Sequence, residues 1–134
     1  MYTSKVKDQK RTARIILNAD IDSRSKTLFH ALEWLMLHQE IKFNKCAMMY
    51  KIFNESMPSY LQEEFTKKQM CSAHNLRSNE VSRHMFEIPV SRTELLKNTF
   101  VCSGASMWNS LPESVKVATS FKVFKNCCKE YILS

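Results

Sequence analysis

The chain has 134 residues, with 20 Lys and Arg against 13 Asp and Glu, so its formal net charge is +7. This length suffices for one domain with a buried core, but it is short for an enzyme with a separate substrate domain. The single glycine nearly excludes P-loops, Rossmann turns and type I′ hairpins, which depend on glycine, and it favours helices.

Composition also indicates the cellular compartment of the protein and the class of partner that it binds. Hydrophobic residues make up 44% of the chain, yet no apolar run approaches the ~18 residues that a membrane span needs. The five cysteines are odd in number and form no regular disulfide framework. We therefore expect an intracellular protein, cytoplasmic or nuclear, without a membrane partner. The surplus positive charge favours a polyanionic partner, nucleic acid first.

The N-terminal segment predicts a helix over residues 4–19. Its apolar side is formed by Val6, Ala13 and Ile16. Four basic residues fall within roughly 100° of the helix circumference; they are Lys7, Lys10, Arg11 and Arg14. Two interpretations stay open for this stripe, because a solvated face and a surface that contacts phosphates carry the same pattern. A short helix over residues 26–34 follows.

The stretch from Leu35 to Phe53 predicts the central helix of the fold, over residues 35–56. One apolar stripe consists of Leu37, Ile41, Met48 and Ile52, and other apolar residues flank it. Only a narrow arc reads as solvent-facing, with Glu40, Asn44 and Lys51. Because such a helix must be covered from several sides, we predict a mainly α protein, an irregular helical bundle around this buried helix.

The middle of the chain is the least regular part. Residues 66–84 carry no sustained period of 2 or 3.6, which predicts a long internal loop; a loop of this length is either mobile, as we expect here, or functional. The alternation from Phe86 to Val90 predicts at most a short strand, and Pro89 confines it to a sheet edge.

The C-terminal third again predicts helices. Gly104 lies among small residues between Thr99 and Leu111, which indicates a point of close packing against the central helix. Pro112 suits the start of a brief helix through Val117. Thr119 or Ser120 then caps a last helix, whose polar side carries a second basic stripe; its members are Lys122, Lys125 and Lys129.

No constellation of residues predicts catalysis or a bound metal. Cys71 and His74 have the spacing of half a zinc site, but a regular set of four ligands is lacking. His30 and His38 have no nucleophile paired with them in the sequence. We expect no catalytic residues, no metal and no cofactor.

Several sequence words, in order, resemble the region downstream of the polymerase domain in non-LTR (LINE-like) retrotransposon reverse transcriptases. They are QKRTARIILNAD from Gln9, LFHALEWLML from Leu28, MMYKIFNESMPSYLQEEF from Met48, NLRSN from Asn75, SGASMWNSLPESVK from Ser103 and SFKVFK from Ser120. The match covers nearly the whole chain, and MYKIFN with PSYL followed at a distance by WNSLP is its most specific part.

The resemblance implies a fragment of a larger reverse transcriptase whose parent carries a polymerase palm and, commonly, an endonuclease. The palm aspartate pair has no counterpart here, and no Asp-Asp dipeptide occurs. Two-metal nucleotide transfer needs those carboxylates, so we expect a non-catalytic, single helical region over residues 1–134.

The basic stripes favour an accessory role in which the chain holds template RNA or primed DNA without sequence preference. One alternative is a packing module for the missing polymerase domain, because apolar residues from Ile15 to Leu17 exceed what one inward face can bury. A degenerate relic without activity is the other.

Overall fold

A computed structural model describes residues 2–68 and 84–134, and this part of the chain is mainly α-helical, as predicted. Its eight helices are α1 (Tyr2–Ile16), α2 (Ser25–Ala31), α3 (Leu37–Phe53), α4 (Ser59–Glu63), α5 (Glu94–Lys97), α6 (Phe100–Ser110), α7 (Glu113–Lys116) and α8 (Phe121–Leu133). Most of the predicted loop, residues 69–83, lies outside the described residues.

The predicted edge strand is reduced to one isolated bridge within the described residues, an antiparallel pair of Lys67 and Phe86. The Lys68 amide donates to the Met85 carbonyl at 2.9 Å, and the Glu87 amide donates to the Thr66 carbonyl at 2.7 Å. These two bonds join the segment after α4 to the segment that starts at residue 84.

The first three helices end on residues with a left-handed backbone, and none of these residues is glycine. Asn18, Glu33 and Glu55 have φ angles of 48°, 53° and 57°. After each one, an amide donates to the carbonyl five residues back, at 2.8 to 2.9 Å. This is the Schellman type of helix end, for which glycine is the usual residue. It stops α1 at Ile16, three residues before the predicted end, and it stops α3 at Phe53 rather than at residue 56.

The chain divides into two compact units, and the division falls inside α3. Unit 1 comprises Met1–Lys42 with Leu133, and unit 2 comprises Phe43–Ile132 with Ser134.

Unit 1 has a small core of three buried residues, Ala13 on α1 and Leu28 and Phe29 on α2. Trp34 packs beside Phe29, with ring centroids 6.4 Å apart. The Gln9 side-chain amide donates to the Leu35 carbonyl at 2.9 Å, which fixes α1 to the segment after α2.

Unit 2 holds the larger core, which is rich in aromatic rings. Its largest fully buried side chains are Trp108, Phe86, Phe124, Met49, Cys46 and Cys128. The Tyr50 ring stacks on Phe124 at a centroid distance of 4.3 Å, and its hydroxyl donates to the Ala118 carbonyl at 2.9 Å. Rings with few rotamers give α3, α6 and α8 a large buried area at a low entropy cost.

Gly104 allows α6 to approach α3 closely, as the sequence predicted. A Cβ atom built on Gly104 would lie 3.0 Å from the Met49 sulfur and 3.4 Å from the Phe100 ring. A side chain larger than a methyl group would therefore displace Met49 or push the two helices apart.

The sequence predicted that α3 is covered from several sides, but the structure buries only part of its circumference. Cys46, Met49, Tyr50 and Ile52 are buried, but Ile41 is 42% exposed and Met48 is 38% exposed. These two residues belong to the predicted apolar stripe. Helical period alone could not identify the buried side, because apolar residues occur on every side of this helix and the packing partners make the choice.

Candidate nucleic-acid interface

The four basic residues of the first stripe lie on one side of α1 but at two depths. Lys7 and Arg11 are exposed, whereas Lys10 and Arg14 are half-buried. The helical period explains the difference, because Lys10 and Arg14 are closer in angle to the buried Ala13 than the other two are.

Arg11 and Arg14 also line a surface hollow of about 520 Å³ at the end of α1. Its other walls include Ile15 and Ile21, which are 71% and 86% exposed. The Arg14 Nε atom is buried and has no hydrogen-bond partner. The hollow therefore combines two guanidinium groups with uncovered apolar surface.

The second stripe lies on α8, which starts at a capped N-terminus. The Ser120 hydroxyl accepts a hydrogen bond from the Val123 amide at 3.3 Å, which confirms the predicted cap. Phe124 and Cys128 face the core of unit 2. The stripe residues Lys122 and Lys125 are exposed and Lys129 is half-buried.

None of the ion pairs among the described residues involves the seven residues of the two stripes. The pairs are Lys67 with Glu55, His84 with Glu113, and Lys97 with Glu94. The stripes therefore present charge that no carboxylate of the described chain neutralises by direct contact.

A third basic feature, which sequence reasoning missed, joins α3 to α8. Lys51 Nζ lies 4.8 Å from the centroid of the Phe121 ring, and Lys125 Nζ lies 5.1 Å from the same centroid. These are cation–π distances. The three side chains border an open groove of about 330 Å³, to which Phe43, Met48 and Met57 contribute apolar walls.

No pattern in the sequence predicts this groove. Lys51 reads as the polar arc of α3, and Phe121 reads as part of the apolar side of α8, so neither predicts a site by itself. Their separation of 70 positions in the chain is closed only by the packing of the two helices.

The WN pair, in the most specific part of the resemblance, has an architectural role. The Trp108 indole N–H donates to the His84 carbonyl at 2.8 Å. Asn109 brackets Phe86: its Oδ1 accepts from the Phe86 amide and its Nδ2 donates to the Phe86 carbonyl, both at 2.9 Å. The pair thus fastens the segment at residues 84–86 to α6.

The perturbed titratable groups of unit 2 do not form a reactive site. Burial lowers the pKa of Lys116, and the nearby Glu113 carboxylate opposes this shift. The pKa of Cys128 is raised by a hydrogen bond with the Cys46 side chain and then by burial. A cysteine that stays protonated is a poor nucleophile and a poor metal ligand.

The described residues offer neither a metal site nor a membrane-spanning helix. They contain no group of three or more His, Cys, Asp or Glu side chains that could hold a metal ion. Cys71 and His74, the half zinc site of the sequence, lie outside the described residues. None of the described helices has the length and the apolar character that crossing a membrane requires.

Comparisons with known proteins add no constraint. No protein-family model, no curated protein and no solved structure matches the chain.

Proposed function

We propose that this chain is a non-catalytic, nucleic-acid-binding region of a retrotransposon reverse transcriptase, where it holds template RNA or the primed DNA end. The observation that carries the proposal is the outward exposure of basic residues on α1 and α8 without carboxylate partners. The retrotransposon origin rests on the sequence resemblance alone.

The exposed stripe residues suit contacts with phosphates. Each Lys or Arg that neutralises a phosphate releases bound counterions, so affinity falls steeply with salt. Contacts between these side chains and phosphates carry no sequence information, so binding through them is independent of sequence.

The test is a salt titration of binding to labelled single-stranded RNA and DNA by fluorescence anisotropy. We expect binding at ~50 mM salt, and we expect the logarithm of the binding constant to fall linearly with the logarithm of the salt concentration. The double variants Lys7→Gln/Arg11→Gln and Lys122→Gln/Lys125→Gln should each lower the slope by roughly 1.4, because each lost single-strand phosphate contact contributes about 0.7.

A matched control is Lys5→Gln/Lys26→Gln, which removes the same charge from exposed positions outside the stripes. This variant should leave the slope unchanged. The proposal is wrong if the folded wild-type protein retains neither RNA nor single-stranded DNA at ~50 mM salt.

A second candidate function is a packing surface for a polymerase domain, which the exposed Ile15 and Ile21 favour. Uncovered apolar side chains beside Arg11 and Arg14 suit a protein partner that buries both kinds of surface. Apolar association survives high salt, whereas phosphate contacts do not. Association with a polymerase domain that persists at ~1 M salt, and that is lost in the variant Ile15→Ser/Ile21→Ser, therefore distinguishes this function from the first.

A further inference from the structure

We infer that the groove between α3 and α8 seats an unpaired base of a single-stranded polynucleotide, with Lys51 and Lys125 on the flanking phosphates. This inference rests on the proposed nucleic-acid binding and deepens it, because it names the form of nucleic acid and a specific contact.

The chemistry of the walls selects this occupant. The groove combines a half-buried phenyl ring, Phe121, with apolar surface from Phe43 and Met57 and two ammonium groups. The two ammonium groups that lie over this ring move to the flanking phosphates when the strand binds, and the ring surface then binds the face of a nucleobase. Such stacking is the usual source of affinity for single strands. Small-molecule sites have the same character, mostly apolar walls with a few placed polar groups.

The charged residues that line the groove are all positive. No Asp or Glu is among its lining residues, and none of the ion pairs in the described part of the chain uses Lys51 or Lys125. Phe121 is the first residue of α8, so the groove borders the N-terminal turn of this helix, where the helix dipole adds positive potential. The site therefore complements a ligand with an aromatic face and negative charge beside it.

The groove is also continuous with the second basic stripe. Lys125 belongs to both, and Lys129 and Lys122 follow it around α8 at successive angles of about 40° and 20°. A strand with one base in the groove can place its next phosphates along this stripe. A base pair cannot enter in the same way, since both its faces are stacked within the duplex. The groove therefore favours single strands over duplexes, which the stripes alone do not.

The experiment uses the full chain and two labelled probes, a 12-nucleotide oligouridylate and a 12-base-pair RNA duplex, at ~50 mM salt. We expect the wild-type protein to prefer the single strand. Phe121→Leu should weaken single-strand binding by about fivefold or more and leave duplex binding unchanged, because it removes one stacking surface. Tyr131→Leu is its control, since it removes an exposed aromatic ring from the same helix outside the groove.

A second pair of variants avoids the core, because Phe121 also packs on Tyr50 at 5.8 Å. Met48→Glu places a carboxylate in the groove wall at an exposed position, and it should weaken single-strand binding about tenfold by repelling phosphate and pairing with the lysines. Ile41→Glu makes the same charge change at an equally exposed position two turns earlier on α3, outside the groove, and should weaken binding by no more than about threefold.

The outcomes separate this inference from the proposed function. Equal binding of strand and duplex, or equal effects of Met48→Glu and Ile41→Glu, would overturn the groove site while leaving the stripes as the binding surface. Uridine monophosphate that binds as tightly as the oligonucleotide would also overturn it. So would an acidic peptide that displaces the oligonucleotide from the groove at lower concentration. Failure of the wild-type protein to bind these two probes and single-stranded DNA would instead refute the proposed function itself.

Discussion

Asn109→Asp tests whether the bracket around Phe86 stabilises unit 2. The native side chain both accepts from and donates to the Phe86 backbone, at 2.9 Å each. A carboxylate keeps the acceptor and loses the donor, and it then places an oxygen against the Phe86 carbonyl. The lost bond costs about 1 kcal/mol and the unsatisfied carbonyl roughly 1–2 kcal/mol more. We expect the free energy of unfolding to fall by about 2–3 kcal/mol.

The cost has an upper bound set by Phe86, whose ring is buried. If both hydrogen bonds of Asn109 are lost, the segment at residues 84–86 can detach from α6. The protein then loses the free energy of burying the Phe86 ring, about 1.5–3 kcal/mol. At this chain length each kcal/mol lowers Tm by roughly 3–6 °C. Urea and thermal unfolding measure the loss, and Trp108 fluorescence in a Trp34→Phe background reports on unit 2 specifically.

The pH dependence of Asn109→Asp gives the sharper test. Partial burial and the facing carbonyl raise the pKa of the introduced aspartate in the folded protein above its unfolded value. The protonated carboxyl can donate again, so the loss of stability is present above the folded-state pKa and shrinks as the pH falls through it. Asn126→Asp, at an exposed position of α8, is the matched control. A variant at Asn109 as stable as the control, or a deficit independent of pH, would refute the role of the bracket.

Four further predictions concern packing, helix ends and titration. Gly104→Ala should change stability by less than about 1 kcal/mol, because the gain in helix propensity offsets a contact of 3.0 Å with a flexible methionine, whereas Gly104→Val should cost about 1–3 kcal/mol in urea unfolding. Glu33→Gly should raise Tm relative to Glu33→Ala, because only glycine adopts the left-handed φ of 53° without a steric cost of about 1 kcal/mol. Cys128 should resist alkylation in the folded protein and react only in denaturant, as read by mass spectrometry, because burial and the raised pKa of its thiol suppress the thiolate. The lowered pKa of Lys116 means that the unfolded chain binds more protons in the window between that pKa and 10.5, so wild-type stability should rise with pH there relative to Lys116→Met. Equal pH profiles of the two proteins would contradict this reading of Lys116.

The basic stripes show how far sequence reasoning reached toward the site. Helical period correctly placed Lys7, Lys10, Arg11 and Arg14 on one side of α1, because that side depends only on local geometry. It did not give their depth, since the angle of the buried face is set by α2 packing on Ala13. Whether either stripe binds nucleic acid stays a prediction.

The sequence by itself determined the secondary structure class of this protein. One glycine and recurrent apolar residues favour helices, and the sequence places a cap for α8 at Thr119 or Ser120, of which the structure uses Ser120. These features depend on neighbours within a few positions, so local pattern suffices to find them.

Tertiary structure alone decided which side of α3 is buried and which distant residues meet. Asn109 reaches back 23 positions to Phe86, and Lys51 meets Phe121 across 70. The apolar residues of α3 are spread around the helix, so burying one side or another satisfies the same pattern. The choice follows from the joint packing of aromatic side chains from several helices, which no single segment encodes.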